Sequence, residues 1–148
     1  MSCNVEQENV ISLAGKWHFA IDSLDIGIKQ EWYRLDLVDE IALPGSMAEN
    51  NKGDEPSLTT QWTGSIYDSS WFFDPRFKKY RQPGNIKFPF WLTPRKYYVG
   101  PAWYRKEVTI PQSWENKTIK LYLERPHWET ILWVDSVKSK TCGVERLF

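Results

Sequence analysis

The chain has 148 residues, with 19 Lys plus Arg against 19 Asp plus Glu, so its formal net charge is zero. That length suits one domain, and the charge balance gives no global pull towards nucleic acid or an anionic membrane. Aromatic residues reach 16 %, nine of them Trp, which excludes global disorder and favours pleated surfaces that display flat rings.

In chain order, the first element is a strand over Lys16–Asp22. Trp17, Phe19 and Ile21 alternate with polar or small neighbours after a turn at Ala14-Gly15, which is the period of a half-buried strand. Gly27 to Asp36 reads as a short helical turn or irregular loop carrying Trp32, Tyr33 and Leu35. Glu40 to Leu43 reads as a short strand stopped by Pro44-Gly45. Residues 46–64 are polar and read as a long loop. From Trp71 to Tyr98, Pro75, Pro83, Pro89 and Pro94 punctuate a ring-rich stretch without a sustained period, and prolines so placed do not sit in central strands. A loop this long in a compact domain is often functional, and its rings predict packing on itself or on a partner. Three strands are then expected. Ala102–Ile110 puts Tyr104, Val108 and Ile110 on one face, and Thr118–Glu124 turns Ile119, Leu121 and Leu123 inward. Trp128–Asp135 holds the consecutive apolar run Ile131 to Val134, as in a strand covered on both sides. No long segment keeps a helical period, so the fold class is all-β.

Charge is unevenly placed. Residues 1–60 carry eleven acidic against four basic side chains, whereas residues 71–98 carry Arg76, Lys78, Lys79, Arg81, Lys87, Arg95 and Lys96 against Asp74 alone. The basic loop can therefore dock on the acidic half of its own molecule or meet an anionic partner. Met1 to Asn9 lacks the basic and apolar regions of a secretory signal, and no run nears the roughly 20 apolar residues of a membrane helix. The protein is thus cytoplasmic, or periplasmic or extracellular if a signal has been removed. Cys3 and Cys142 could be joined by one bridge, but they make neither a disulfide framework nor a metal site. His18 and His127 are the only imidazoles, and the closely spaced ligand pairs of zinc are missing. Neither a metal nor a cofactor is expected.

A family resemblance spans residues 13–135. Leu13-Ala14-Gly15-Lys16-Trp17-His18-Phe19, Ile41-Ala42-Leu43-Pro44-Gly45-Ser46-Met47 and Thr60-Gln61-Trp62-Thr63-Gly64 occur in the order of landmarks in the N-terminal sugar-binding domain of glycoside hydrolase family 2. Val99-Gly100-Pro101-Ala102-Trp103-Tyr104-Arg105-Lys106-Glu107-Val108 is similar to the next. The run from Leu121 through His127-Trp128-Glu129-Thr130 to Trp133-Val134-Asp135 resembles the last. The resemblance implies a jelly-roll-like β-sandwich, related to galactose-binding modules, preceding the barrel that carries catalysis in β-galactosidases, β-glucuronidases and β-mannosidases. On this reading residues 1–12 are an N-terminal extension and 13–135 the sugar-binding domain, with an aromatic and proline-rich loop at 65–100. Residues 136–148 form an atypical tail where the last strands are expected, as in a truncated or frame-shifted ending. A sandwich so shortened has an open sheet edge, which invites a homodimer.

Chemistry follows from what is present. The family's acid/base lies in an Asn-Glu dipeptide, which this sequence does not contain, and a retaining glycosidase needs two carboxyl groups roughly 5 Å apart. A nucleophile elbow and Gly-rich phosphate loops are also missing, so no catalytic residue is assigned. Sugar binding fits better, because flat indoles cover the apolar face of a pyranose while amides and charged groups meet its hydroxyls. The candidate carbohydrate-binding residues are Asn50, Asn51, Gln61, Trp62 and Trp91, with Trp71 a second platform and Trp17, Trp103 and Trp133 assigned to the core. Local packing is the competing role for each. The partner is then a saccharide, galactoside-like by resemblance, or the catalytic barrel of a parent enzyme, with no nucleic acid and no membrane. The alternative is an interaction module whose aromatic loop packs on other domains or subunits without binding sugar itself.

Overall fold

The computed structural model describes residues 9–60, 70–87, 95–124, 126 and 129–139. Alternation in the first segment builds strand β1 (Gly15–Ile21), in which Phe19 is buried and Trp17 and Ile21 are half-buried. Strand β2 (Asp39–Leu43) pairs antiparallel with β1, Trp17 facing Ile41 and Phe19 facing Asp39. Strand β3 (Ala102–Arg105) pairs on the other side, Phe19 facing Tyr104 and Ala20 facing Trp103. The sheet order is therefore β2-β1-β3, a β-rich fold in which β1 is the central strand. Among the described residues, no helix is long and apolar enough to cross a membrane.

Residues opposed across a ladder share a face. One face of the sheet gathers Trp17, Phe19, Ile41 and Tyr104. Phe19 and Ile41 are 1 % and 2 % exposed, each stabilising the fold by about 1.5–3 kcal/mol. The Phe19 and Tyr104 rings meet edge to face at 5.1 Å. The other face carries Ala20 and Trp103 and is covered by the segment between β1 and β2. There His18 Nδ1 donates to Leu37 O at 2.9 Å, and Leu37 is buried. The expected loop at Gly27–Asp36 holds one 3-10 turn, Trp32–Arg34.

After β3 the structure departs from the expected strands. Pairing ends at Arg105, and Lys106 to Ile110 and Thr118 to Glu124 run without ladder partners among the described residues. Val108, Ile110, Ile119, Leu121 and Leu123 are 39–51 % exposed. The reason is physical: an alternating segment becomes a strand only where a neighbour takes its N–H and C=O groups. Pairing resumes in a hairpin of β4 (Trp133–Val134) and β5 (Val137–Lys138), joined through Asp135 and Ser136 at φ 47° and 67°. Two successive positive φ values are those of a two-residue turn matched to strand twist. Residues 137 and 138 thus pair with the strand that begins at Trp133.

Within the proline-rich stretch, residues 70–87 pack locally. Helix α1 (Ser70–Phe73) leads through Asp74 and Pro75 into a 3-10 helix, Pro75–Arg81. Asp74 caps that helix by accepting from Arg76 N at 2.8 Å, and proline suits the first helical position. The Arg81 guanidinium donates to the carbonyls of Trp71 and Asp74. Trp71 is 2 % exposed, and its indole N–H donates to Lys87 O at 2.8 Å.

Candidate functional site

Of the five candidate residues, the structure describes two, and both carry local structure. Ser46-Met47-Ala48-Glu49 is a capping box: Glu49 Oε2 accepts from Ser46 N at 2.8 Å, and Ser46 Oγ accepts from Glu49 N at 3.1 Å. The single helical turn that follows closes with Asn51 N on Ala48 O at 3.1 Å and Lys52 N on Met47 O at 2.8 Å. Those two bonds, with Asn51 at φ 57°, form a Schellman ending, and asparagine is a residue that tolerates this left-handed position. Asn50 has its carboxamide engaged by backbone. Its Oδ1 accepts from Ala42 N at 2.8 Å, and its Nδ2 donates to Ala42 O at 3.1 Å and Ser46 O at 2.9 Å. It occupies the outer edge of β2 as a neighbouring strand would. Gln61, Trp62 and Trp91 lie outside the described residues, as do Cys3, Cys142, His127 and Trp128. Trp71, the second platform, is instead the buried anchor of its loop.

The rings that do come together are ones the sequence assigned elsewhere. Trp103 on β3, Trp133 on β4, and Trp32 and Tyr33 on the 3-10 turn form one half-buried cluster. Tyr33 stacks on Trp133 at 5.4 Å with the planes 7° apart, and Trp103 lies 5.0 Å from Trp133. Trp32 and Tyr33 approach Trp103 at 6.4 and 6.5 Å. Such offset and tilted pairs add to the area they bury. Polar groups border the rings. Trp32 Nε1 donates to Gln30 Oε1 at 3.0 Å, and Tyr33 OH donates to Glu31 Oε1 at 3.0 Å. Arg34 pairs with Glu31 at 3.2 Å and lies 5.5 Å from the Tyr33 ring centre. The Glu31 carboxylate that accepts the Tyr33 hydroxyl holds that phenol above its ordinary range.

Asp22 fixes the floor of this cluster. It follows β1 directly and is 2 % exposed. Its carboxylate accepts from Ile26 N at 2.9 Å, Gly27 N at 2.7 Å and Trp103 Nε1 at 3.1 Å. Burial alone would raise its pKa, yet the bonds from Ile26, Trp103, Gly27 and Asp25 together hold it below the usual carboxylate range. A side chain at residue 27 would collide here. A Cβ on Gly27 would sit 2.2 Å from Trp103 Nε1 and 2.6 Å from Asp22 Oδ2. The signals for this arrangement were an Asp closing a strand with a Gly five residues on, and the adjacent pair Trp32-Tyr33 among polar neighbours.

Electrostatics elsewhere is made of local pairs. Lys52 bonds Asp39, and Lys16 reaches Glu40 at 2.7 Å across β1 and β2. Among the described residues, the basic stretch meets the acidic half near Lys96. Lys96 bonds Glu55 at 2.6 Å, and Asp54 and Tyr97 exchange backbone bonds at 2.9 Å. The described carboxylates with a resolved shift, Asp22, Asp39, Glu40, Glu49 and Asp74, are all shifted downwards. A catalytic acid needs the opposite direction. No group of three or more His, Cys, Asp or Glu placed to hold a metal ion occurs among the described residues. In comparisons with known proteins, no family model matches the chain, and no curated protein matches it significantly.

Proposed function

We propose that this chain is a non-catalytic, carbohydrate-recognising module of the kind that precedes the barrel in family 2 glycoside hydrolases. The role is to position a saccharide and brace the active site, while hydrolysis of the glycosidic bond takes place elsewhere. The observation that carries this reading is the ring cluster of Trp32, Tyr33, Trp103 and Trp133 bordered by Gln30, Glu31 and Arg34. Half-buried flat rings with amide and charged groups at their margin are what the two-sided chemistry of a pyranose requires. The downward-shifted carboxylates support a non-catalytic part. The central position of β1, and the β4–β5 hairpin that closes at the last family landmark, fit a jelly-roll-like sandwich.

Titrating the chain with galactosides, glucuronides and mannosides while following Trp emission tests this. A saturable change that Tyr33→Ala removes is the expected result, and no response to any of the three overturns it. Turnover of nitrophenyl glycosides by the chain alone would overturn the non-catalytic part. A second reading has its own observation. The exposed apolar residues Val108, Ile110, Ile119, Leu121 and Leu123 suit packing against another domain or a second copy through an open edge.

A further inference from the structure

We propose that Thr118–Glu124 pairs antiparallel with the same segment of a second copy of the chain, about a two-fold axis through Leu121. The pairing rests on the second reading, an open apolar strip, and names its occupant; it is independent of the carbohydrate reading. No backbone group from Thr118 to Leu123 is hydrogen-bonded among the described residues, and no residue of the segment has a positive φ. Ile119, Leu121 and Leu123 are 51, 46 and 39 % exposed, and Tyr122, from the alternate set, is 74 % exposed. The segment holds β-branched and aromatic residues, neither Gly nor Pro, and one Lys against one Glu. That composition favours strand-to-strand addition, and a row of unmet N–H and C=O groups is the template for it.

The occupant follows from the order of the residues. Turning the segment end over end about Leu121 sets Leu121 on Leu121, Ile119 on Leu123 twice and Lys120 on Tyr122 twice. Every apolar residue of the alternating set thus meets an apolar residue, which is what fixes a register. Each Lys120 also falls diagonal to Glu124 of the other copy, an opposite charge on the same face. The competing arrangements lack this match. Parallel pairing in register stacks Lys120 on Lys120 and Glu124 on Glu124, and an antiparallel shift of one residue sets Leu121 against Lys120 or Tyr122. The neighbouring alternating segment is not self-matching, because turning it about Val108 sets Lys106 on Ile110. It is also already tied, with Lys106 Nζ donating to Lys16 O at 2.8 Å and Glu107 paired with Arg105 at 3.3 Å. A sequence that complements itself end over end is what a two-fold interface requires.

Seven residues a side make a small interface, so the association is weak. Sedimentation velocity of the full chain over a series from about 10 µM to about 1 mM covers that range. Expected is a dimer that grows with concentration and that Val108→Lys and Tyr33→Ala leave intact. Leu121→Lys should weaken it about tenfold or more, since it sets two like charges face to face, and the exposed site should let the variant keep the wild-type Trp emission. Cross-linking with copper phenanthroline, in a Cys3→Ser/Cys142→Ser background, reads the register. Leu121→Cys should link to itself, its two Cβ atoms standing about 5 Å apart, whereas Ile119→Cys should link only when mixed with Leu123→Cys. Monomer throughout, a dimer that Leu121→Lys does not weaken, or one that Leu121→Cys does not link overturns the proposal. Binding of a fluorescent apolar dye separates this failure from that of the second reading. A monomer whose dye binding Leu121→Lys abolishes removes the second copy and leaves the strip to another domain, and a monomer that binds no dye removes both.

Discussion

Replacing Gly27 by alanine is the sharpest test of the arrangement around Asp22. The added methyl would lie 2.2 Å from Trp103 Nε1, 2.6 Å from Trp103 Cε2 and 2.6 Å from Asp22 Oδ2. None of these atoms can yield cheaply, since the indole is stacked near Trp133 at 5.0 Å and the carboxylate is tied to two backbone N–H groups. Relief requires the indole to swing off the carboxylate. That forfeits a hydrogen bond to a charged group, about 1.5–3 kcal/mol, and adds about 1–3 kcal/mol of overpacking. The expected loss is about 3–5 kcal/mol, a large share of the stability of a domain this size. Urea unfolding followed by Trp emission measures it. Gly84→Ala is the control, because Gly84 has φ 77° but nothing within 4 Å of its added Cβ, so only the backbone cost of about 1–2 kcal/mol applies. In a Trp103→Phe background the Gly27 substitution should cost much less. A Gly27→Ala protein within 1 kcal/mol of wild type, or no worse than Gly84→Ala, would refute the reasoning.

The Asp22 carboxylate is held below its ordinary pKa by its donors, so its contribution is present above the unfolded value near 4 and fades as pH falls through the lowered folded value. Wild type should lose stability on that descent more steeply than Asp22→Asn, as followed by thermal melts at stepped pH. Asn50→Ala should cost about 1–2 kcal/mol through its three lost backbone contacts and leave saccharide titrations of the folded protein unchanged. A loss of sugar response without a loss of stability would mark Asn50 as a ligand residue. Asn51→Gly should be nearly neutral, whereas Asn51→Val should cost about 1–2 kcal/mol at its positive φ, both read from urea midpoints. Leu121→Lys should shift sedimentation towards monomer if the exposed strip joins copies, and an unchanged profile would assign the strip to another partner.

What could be read from the sequence was local. The alternation of Trp17, Phe19 and Ile21 determines which face of β1 is buried whatever lies beside it, and the structure agrees. Pro44-Gly45 ended β2 for an equally local reason. Thr118–Glu124 has the same alternation but no ladder among the described residues, because pairing depends on a distant segment. Of the amides, composition cannot tell an Asn turned to a ligand from one bonded to backbone, and the structure shows Asn50 bonded to Ala42 and Ser46. Trp103 and Trp133 looked like core because each stands among apolar neighbours. Only the fold brings Trp32 and Tyr33 to them.

On the proposed reading, sugar recognition and protein contact use different residues. Phe19 and Ile41 close one face as ordinary core, and on the other Asp22 holds the indole N–H of the half-buried Trp103. On the proposed reading a saccharide brings hydroxyls that must be met on desolvation, and Gln30, Glu31 and Arg34 are the polar groups beside those rings. In the strip from Val108 to Leu123 apolar side chains are exposed, and its two alternating segments, up to Ile110 and from Thr118, have no ladder partner among the described residues. A sugar cannot satisfy a row of strand N–H and C=O groups in register, whereas another strand can. If each surface takes its own class of partner, as proposed, loss of one contact by substitution should leave the other measurable.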